Sequence, residues 1–135
     1  MAIGTSGTGN PLGVYGSIAS ATLGGYGNRL VYSDGSGFLT NSSSDASLKT
    51  DVVTLPYGLA EVLLLNPIKF GWIQPALMGS QKEIGFIAQE IEAIIPEVVG
   101  MNFDGMKSLD YPKLTAVLCK AIQELNAKLE AHLNG

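Results

Sequence analysis

From Asp110 to the end of the chain, large apolar residues recur on one side of a helix: Leu114, Leu118, Ile122, Leu125 and Leu129, then His132, at spacings of four, four, three, four and three. That spacing has the period of an α-helix and comes close to the seam of a coiled coil. Lys, Gln and Glu fill many of the intervening places, giving one apolar stripe and one solvated face, and Asp110 stands where an N-cap belongs. Such a helix packs either on its own domain or, over the turns from about Asn126 on, against copies of itself.

Upstream, helix and strand periods alternate. Leu59, Val62, Leu63 and Leu65 predict a short helix stopped by Asn66-Pro67, because the residue before a proline is pushed out of the α region. Ile68, Phe70 and Trp72 then alternate with Lys69, Gly71 and Ile73, a strand pattern. The turn-like Met78-Gly79-Ser80-Gln81 leads to a second run, Ile84 to Ala88, suited to pairing back as a hairpin. Ile91, Ile94 and Ile95 recur at helical spacing within Gln89 to Ile95, and Pro96 ends that helix.

Before Ser44 the pattern changes. Short runs such as Val14-Tyr15, Leu30-Val31-Tyr32 and Phe38-Leu39-Thr40 are separated by Gly-Gly, Gly-Asn and Asp-Gly-Ser-Gly, which predicts short strands and tight turns. The first 44 residues hold ten of the seventeen glycines but only one base, Arg29, and one acid, Asp34. One copy of such a segment has little to bury, so it is either a disordered leader or one part of an intertwined β-structure that gains its core when chains associate. The polar stretch Asn41 to Ser44 is the hinge between the two regimes.

Composition narrows the function classes. With eight Lys+Arg against twelve Asp+Glu and a net charge of -4, the chain offers no basic footprint for nucleic acid or anionic lipid. Its longest apolar stretch, Leu59 to Leu65, is interrupted by Glu61 and falls far short of the ~20 residues that span a bilayer. A single cysteine closes no intrachain disulfide, and no signal-peptide pattern follows Met1, so a reducing cytoplasm is the expected place of synthesis. Cys119 and His132, alone of their kinds, read as a core thiol and a seam or surface imidazole; no metal, cofactor or nucleotide loop is expected.

The remaining chemistry lies at the hinge, where Ser44 and Lys49 stand five residues apart. A serine hydroxyl becomes a nucleophile when a neighbouring base takes its proton, and a lysine serves if desolvation leaves some of it neutral. On a continuous helix the two side chains would sit about 140° apart, and on a strand they would point to opposite faces. They meet only if a turn intervenes, and Asp45 and Ser47 are the residues to form one. The alternative is that Ser44 or Asp45 merely caps a helix and Lys49 is a solvated charge.

The stretch from Ser44 to about Leu125 resembles the C-terminal intramolecular chaperone and autoprotease domain of phage tail spikes and tail fibres, found also in the myelin regulatory factor. The matching residues are Ser44-Asp45-x-x-Leu48-Lys49-x-Asp51-Val52, then Gly58-Leu59 and Leu65-Asn66-Pro67-Ile68-Lys69-Phe70-x-Trp72. Gly85 to Ile91, Pro96 to Val99, and Tyr111 with Leu114, Ala121-Ile122 and Glu124-Leu125 complete the series. The resemblance implies an α+β fold of short hairpins and helices with a long C-terminal helix, trimeric, in which residues 44–135 are the chaperone and residues 1–43 the Gly-rich β-structured end of the fibre.

It further implies that the domain trimerises, assists folding of the preceding fibre segment and then cuts itself free between Ser43 and Ser44. Ser44 is then the nucleophile and Lys49 the base, with Asp45 shaping the turn rather than taking part in the chemistry. The implied partners are other copies of the chain and its own fibre segment. Assembly takes place in the host cytoplasm, and the parent fibre ends in the virion tail. A non-enzymatic trimerisation and attachment tip with the same scaffold is the competing expectation; a glycosidase-like hydrolase lacks a carboxylate pair in a fitting context.

Overall fold

The structure, a computed structural model, describes residues 30–34, 36, 38–41, 43–102 and 104–135. The strand expected around Val14-Tyr15 lies outside the described residues. Backbone packing divides the chain into two units, Met1–Val52 and Val53–Gly135.

In the first unit, β1 (Val31–Ser33) and β2 (Leu39–Asn41) pair antiparallel, Val31 opposite Asn41 and Ser33 opposite Leu39. Asp34 closes their turn. Its N–H donates to the Phe38 carbonyl at 2.9 Å, and its Oδ1 accepts from the N–H groups of Ser36 and Phe38, both at 2.9 Å. An aspartate suits such a turn because its short carboxylate reaches backbone donors a few residues on. Leu30, Val31, Phe38 and Leu39 are all exposed; a two-stranded hairpin without an apolar cover of its own is marginal in water.

The second unit is α+β, as expected. Strands β3 (Ile68–Phe70) and β4 (Glu83–Gly85) form the anticipated hairpin, with Ile68 opposite Gly85 and Phe70 opposite Glu83. The strand ends at Phe70 instead of running on to Trp72, whose ring stands edge-on to Phe70 with centroids 5.1 Å apart. Where the sequence predicted only a turn, the connection also holds the single helical turn α2 (Pro75–Met78), opened by a proline whose fixed φ suits a first helical position.

The helices α1 (Leu59–Val62) and α3 (Ala88–Glu92) form where expected but are shorter, ending before the predicted stops at Asn66-Pro67 and Pro96, and a 3-10 turn follows at Pro96–Val98. A third hairpin, β5 (Val99–Met101) with β6 (Lys107–Leu109), had not been anticipated. The long helix α4 (Tyr111–Leu133) completes the unit. Asp110 precedes it without a side-chain capping bond, and its carboxylate pairs with Lys113 Nζ at 3.3 Å.

The core consists of Ile91, Ile95, Val98, Leu114 and Val117, ringed by half-buried groups that include Tyr57, Val62, Leu65 and Phe86. At its edge a Cβ on Gly85 would overlap the Tyr111 hydroxyl, which accepts the Phe86 N–H at 3.3 Å, so a larger residue there requires the tyrosine to move.

Helix α4 has two apolar faces, where the sequence showed one stripe. Leu114, Val117 and Ala121 are buried against the unit. Leu118, Ile122, Leu125 and Leu129 remain 44%, 66%, 54% and 54% exposed, forming a continuous seam beside the buried face. Cys119, expected in the core, is exposed, because it lies one residue and about 100° beyond Leu118, further from the core. Among the described residues no helix is long and apolar enough to cross a membrane.

Candidate active site

The backbone around Ser44 is shaped by Asp45. This residue is extended (φ -64°, ψ 136°) and caps a single 3-10 turn, Ala46–Leu48. Its Oδ1 accepts two hydrogen bonds from Ser47, from the backbone N–H at 2.8 Å and from the hydroxyl at 2.6 Å. Those bonds hold the Asp45 carboxyl below the usual carboxylate range, the Ser47 hydroxyl contributing most and the nearby Lys49 charge less. Backbone bonds from Leu48 N to Asp45 O (3.2 Å) and from Lys49 N to Ala46 O (3.1 Å) complete the turn.

Lys49 leaves the turn in an extended conformation, and its side chain doubles back. Its Nζ donates to Ser44 Oγ at 2.7 Å and to the Ser44 carbonyl at 3.1 Å. The turn thus removes the obstacle of the odd five-residue spacing, which in a regular helix or strand keeps the two side chains apart. Ser43 lies on the other side of the turn, its Oγ accepting the Asp45 N–H at 3.4 Å.

Four residues singled out from sequence, Ser43, Ser44, Asp45 and Lys49, therefore share one small constellation. Ser47, which sequence reasoning saw as a general turn former, is the specific partner of Asp45. All five are exposed to solvent in the single chain, so the contact between hydroxyl and amine is made but not desolvated.

Two residues past Lys49, Asp51 adopts a left-handed backbone conformation with φ 51°. Aspartate tolerates that region better than most residues with a Cβ, and Thr50 Oγ1 donates to its Oδ2 at 3.1 Å. No signal in the sequence distinguished this turn from ordinary extended chain.

Residues 44–100 match the Peptidase S74 family, chaperone of endosialidase. The resemblance read from the motifs is thereby borne out over that stretch, which begins at Ser44 itself and takes in Lys49, both hairpin strands β3 and β4, and α3. No curated protein matches the chain. The chaperone of endosialidase match stops short of α4, so that helix is tied to it through the core contacts of Leu114 and Val117 with Ile91, Ile95 and Val98. Among the described residues, no group of three or more His, Cys, Asp or Glu side chains is arranged to hold a metal ion.

Proposed function

We propose that residues 44–135 are an intramolecular chaperone that trimerises, assists folding of a phage tail fibre or spike segment ahead of it, and releases itself by cleaving the Ser43–Ser44 bond. The observation that carries this reading is the 2.7 Å contact between Lys49 Nζ and Ser44 Oγ at the first residue of the family match. In the structure the amine donates to the hydroxyl. For catalysis the direction reverses: a neutral Lys49 accepts the Ser44 proton, and Oγ attacks the Ser43 carbonyl carbon. The Ser43–Ser44 C–N bond breaks as Lys49 returns the proton to the departing nitrogen. The resulting ester between Ser43 and Ser44 Oγ is hydrolysed by water, leaving Ser44 as the new N-terminus.

On this reading the exposure of both groups makes cleavage wait on assembly. A lysine in water keeps its proton, and burial disfavours the charged form, so desolvation of this corner by neighbouring chains converts a formed contact into a working dyad. The exposed α4 seam supports self-association, since Leu118, Ile122, Leu125 and Leu129 follow the four-three-four spacing of helices that pack together. The number three comes from the family resemblance. This reading places assembly in the host cytoplasm and the parent fibre in the virion tail.

The same exposure favours one alternative, a trimerisation tip with no working dyad. Intact mass of freshly purified protein beside Ser44→Ala and Lys49→Ala variants, with native mass to count chains, separates the two. Self-cleavage predicts a wild type split between Ser43 and Ser44 within a trimer, and both variants whole. A wild type that stays whole as a trimer through prolonged incubation establishes the tip instead.

A further inference from the structure

The contact between Lys49 and Ser44 depends on the short 3-10 turn Ala46–Leu48 between them. So short a turn has little to hold it, because closing a first helical turn fixes several backbone dihedrals in return for a single hydrogen bond. None of its residues is buried, so packing against a core does not make up the difference. Its backbone bonds, from the Leu48 N–H to the Asp45 carbonyl and from the Lys49 N–H to the Ala46 carbonyl, measure 3.2 and 3.1 Å.

Side chains supply the rest. Asp45 Oδ1 accepts from Ser47 twice, from the N–H at 2.8 Å and from the hydroxyl at 2.6 Å. Any residue but proline at position 47 offers the N–H; the hydroxyl is particular to this side chain, and an O–H bond to a carboxylate is of the shorter and stronger kind. Asp45 caps the turn at one end, and Lys49 leaves it extended at the other, sending Nζ back to Ser44 Oγ at 2.7 Å. Every bond in this series lies within residues 44–49. The family motif read from the sequence uses Ser44, Asp45, Leu48 and Lys49 and assigns nothing to position 47.

We infer that Ser47 is a positioning residue for self-cleavage: its hydroxyl, by clasping the Asp45 carboxylate, keeps closed the turn that holds Lys49 on Ser44. This deepens the self-cleavage reading above and rests on it. Ser47 touches neither reacting atom and acts through Asp45. When the clasp opens, the segment is free to become extended chain, in which the odd spacing points the Ser44 and Lys49 side chains to opposite faces. Cleavage needs hydroxyl and amine held in near-attack geometry, so its rate follows the fraction of chains in which the turn is closed.

The test compares the full chain with Ser47→Ala, Ser47→Thr, Asp45→Ala and the double variant Ser47→Ala with Asp45→Ala. Cleavage between Ser43 and Ser44 is followed by a time course of intact mass, and trimer content by native mass. Alanine is a better helix former than serine, so a slower Ser47→Ala reports the missing hydroxyl and not a weaker local propensity. The expected result is that Ser47→Ala assembles but cleaves about tenfold more slowly, the loss of one hydrogen bond to a charged group, while Ser47→Thr, which keeps the hydroxyl, stays close to wild type. The double variant cleaves no more slowly than Asp45→Ala, because two residues that act through one contact are not additive. A Ser47→Ala protein that cleaves at the wild-type rate overturns the inference, as does a Ser47→Thr protein as slow as Ser47→Ala. Losses that add in the double variant overturn it too, since Ser47 then acts by some route other than Asp45, and so does a Ser47→Ala protein that no longer assembles. A wild type that never cleaves refutes the self-cleavage reading and the inference with it, an outcome visible without any variant.

Discussion

Leu125→Asp is the sharpest test of self-association through α4. Leu125 is 54% exposed in the single chain and makes no part of the buried core, which uses Leu114, Val117 and Ala121 on the neighbouring face. Full burial of a leucine side chain contributes roughly 1.5–3 kcal/mol, so covering the exposed half contributes about 1 kcal/mol per chain. Three copies lose about 3 kcal/mol of trimer stability, a drop of roughly 100-fold or more in the association constant. Three carboxylates brought together in a desolvated layer add a further penalty.

Ala127→Asp supplies the control, with the same charge two residues on and on the opposite side of the helix. Native mass and light scattering across a dilution series, alongside far-UV circular dichroism, read the result. Expected are a folded, dissociated Leu125→Asp and a trimeric Ala127→Asp, with self-cleavage lost only in the former. A Leu125→Asp protein that remains trimeric at low concentration refutes the seam, and one that loses its helical signal as a monomer refutes the separation of the two faces.

Other outcomes follow from the same structure. Ile95→Ala, at a side chain 1% exposed, costs about 2–5 kcal/mol and lowers Tm by roughly 10 °C or more in a thermal melt. Asp51→Gly keeps wild-type cleavage, whereas Asp51→Val, with a β-branched residue forced to φ 51°, incurs roughly 1–2 kcal/mol and cleaves about tenfold more slowly in a mass time course. The Asp45 carboxyl is held low in the folded chain by Ser47, so its clasp is intact above the unfolded value of about 3.9 and is released as pH falls through the lowered folded value. The Ser47 amide shift followed by NMR shows that release, and Asp45→Asn removes its pH dependence.

The parts of this fold legible in the sequence are those in which local pattern and tertiary use agree. The place of α1, the β3–β4 pairing and the extent of α4 each rest on a run long enough to show its period, although α1 ends at Val62, short of the predicted stop at Asn66-Pro67. Hairpin β5–β6 escaped because Val99-Gly100-Met101 and Lys107-Ser108-Leu109 show no visible alternation; the Asp110 N–H to Val98 carbonyl bond at 2.8 Å extends the same pairing by one step. On α4 the apolar spacing was plain, but two faces were merged: which leucines are buried depends on where α1 and α3 sit. The close approach of Ser44 and Lys49 was legible only as a condition, that a turn intervene, together with the residues able to make it. The approach of Glu124 to Gly58 and the Leu59 N–H was beyond reach, since nothing local to these residues announces a partner 65 or more positions away.

The pieces combine into a single physical order of events. In one chain the turn clasped by Asp45 and Ser47 already brings Lys49 to Ser44, so local structure supplies proximity before any assembly. What one chain does not supply is cover, because the dyad, the β1–β2 hairpin and the α4 seam are all open to water. On the proposed reading one event, association of copies, would serve all three surfaces by burying the seam, giving the hairpin apolar neighbours and excluding water from the dyad. On that reading, contact between hydroxyl and amine without desolvation is the resting state, since it is burial that disfavours the charged form of a lysine. Under the proposed mechanism such a chain would cut itself only after its copies have come together. Its proposed removal would then leave a fibre without the module that guided its folding, a product held in place by the slowness of unfolding.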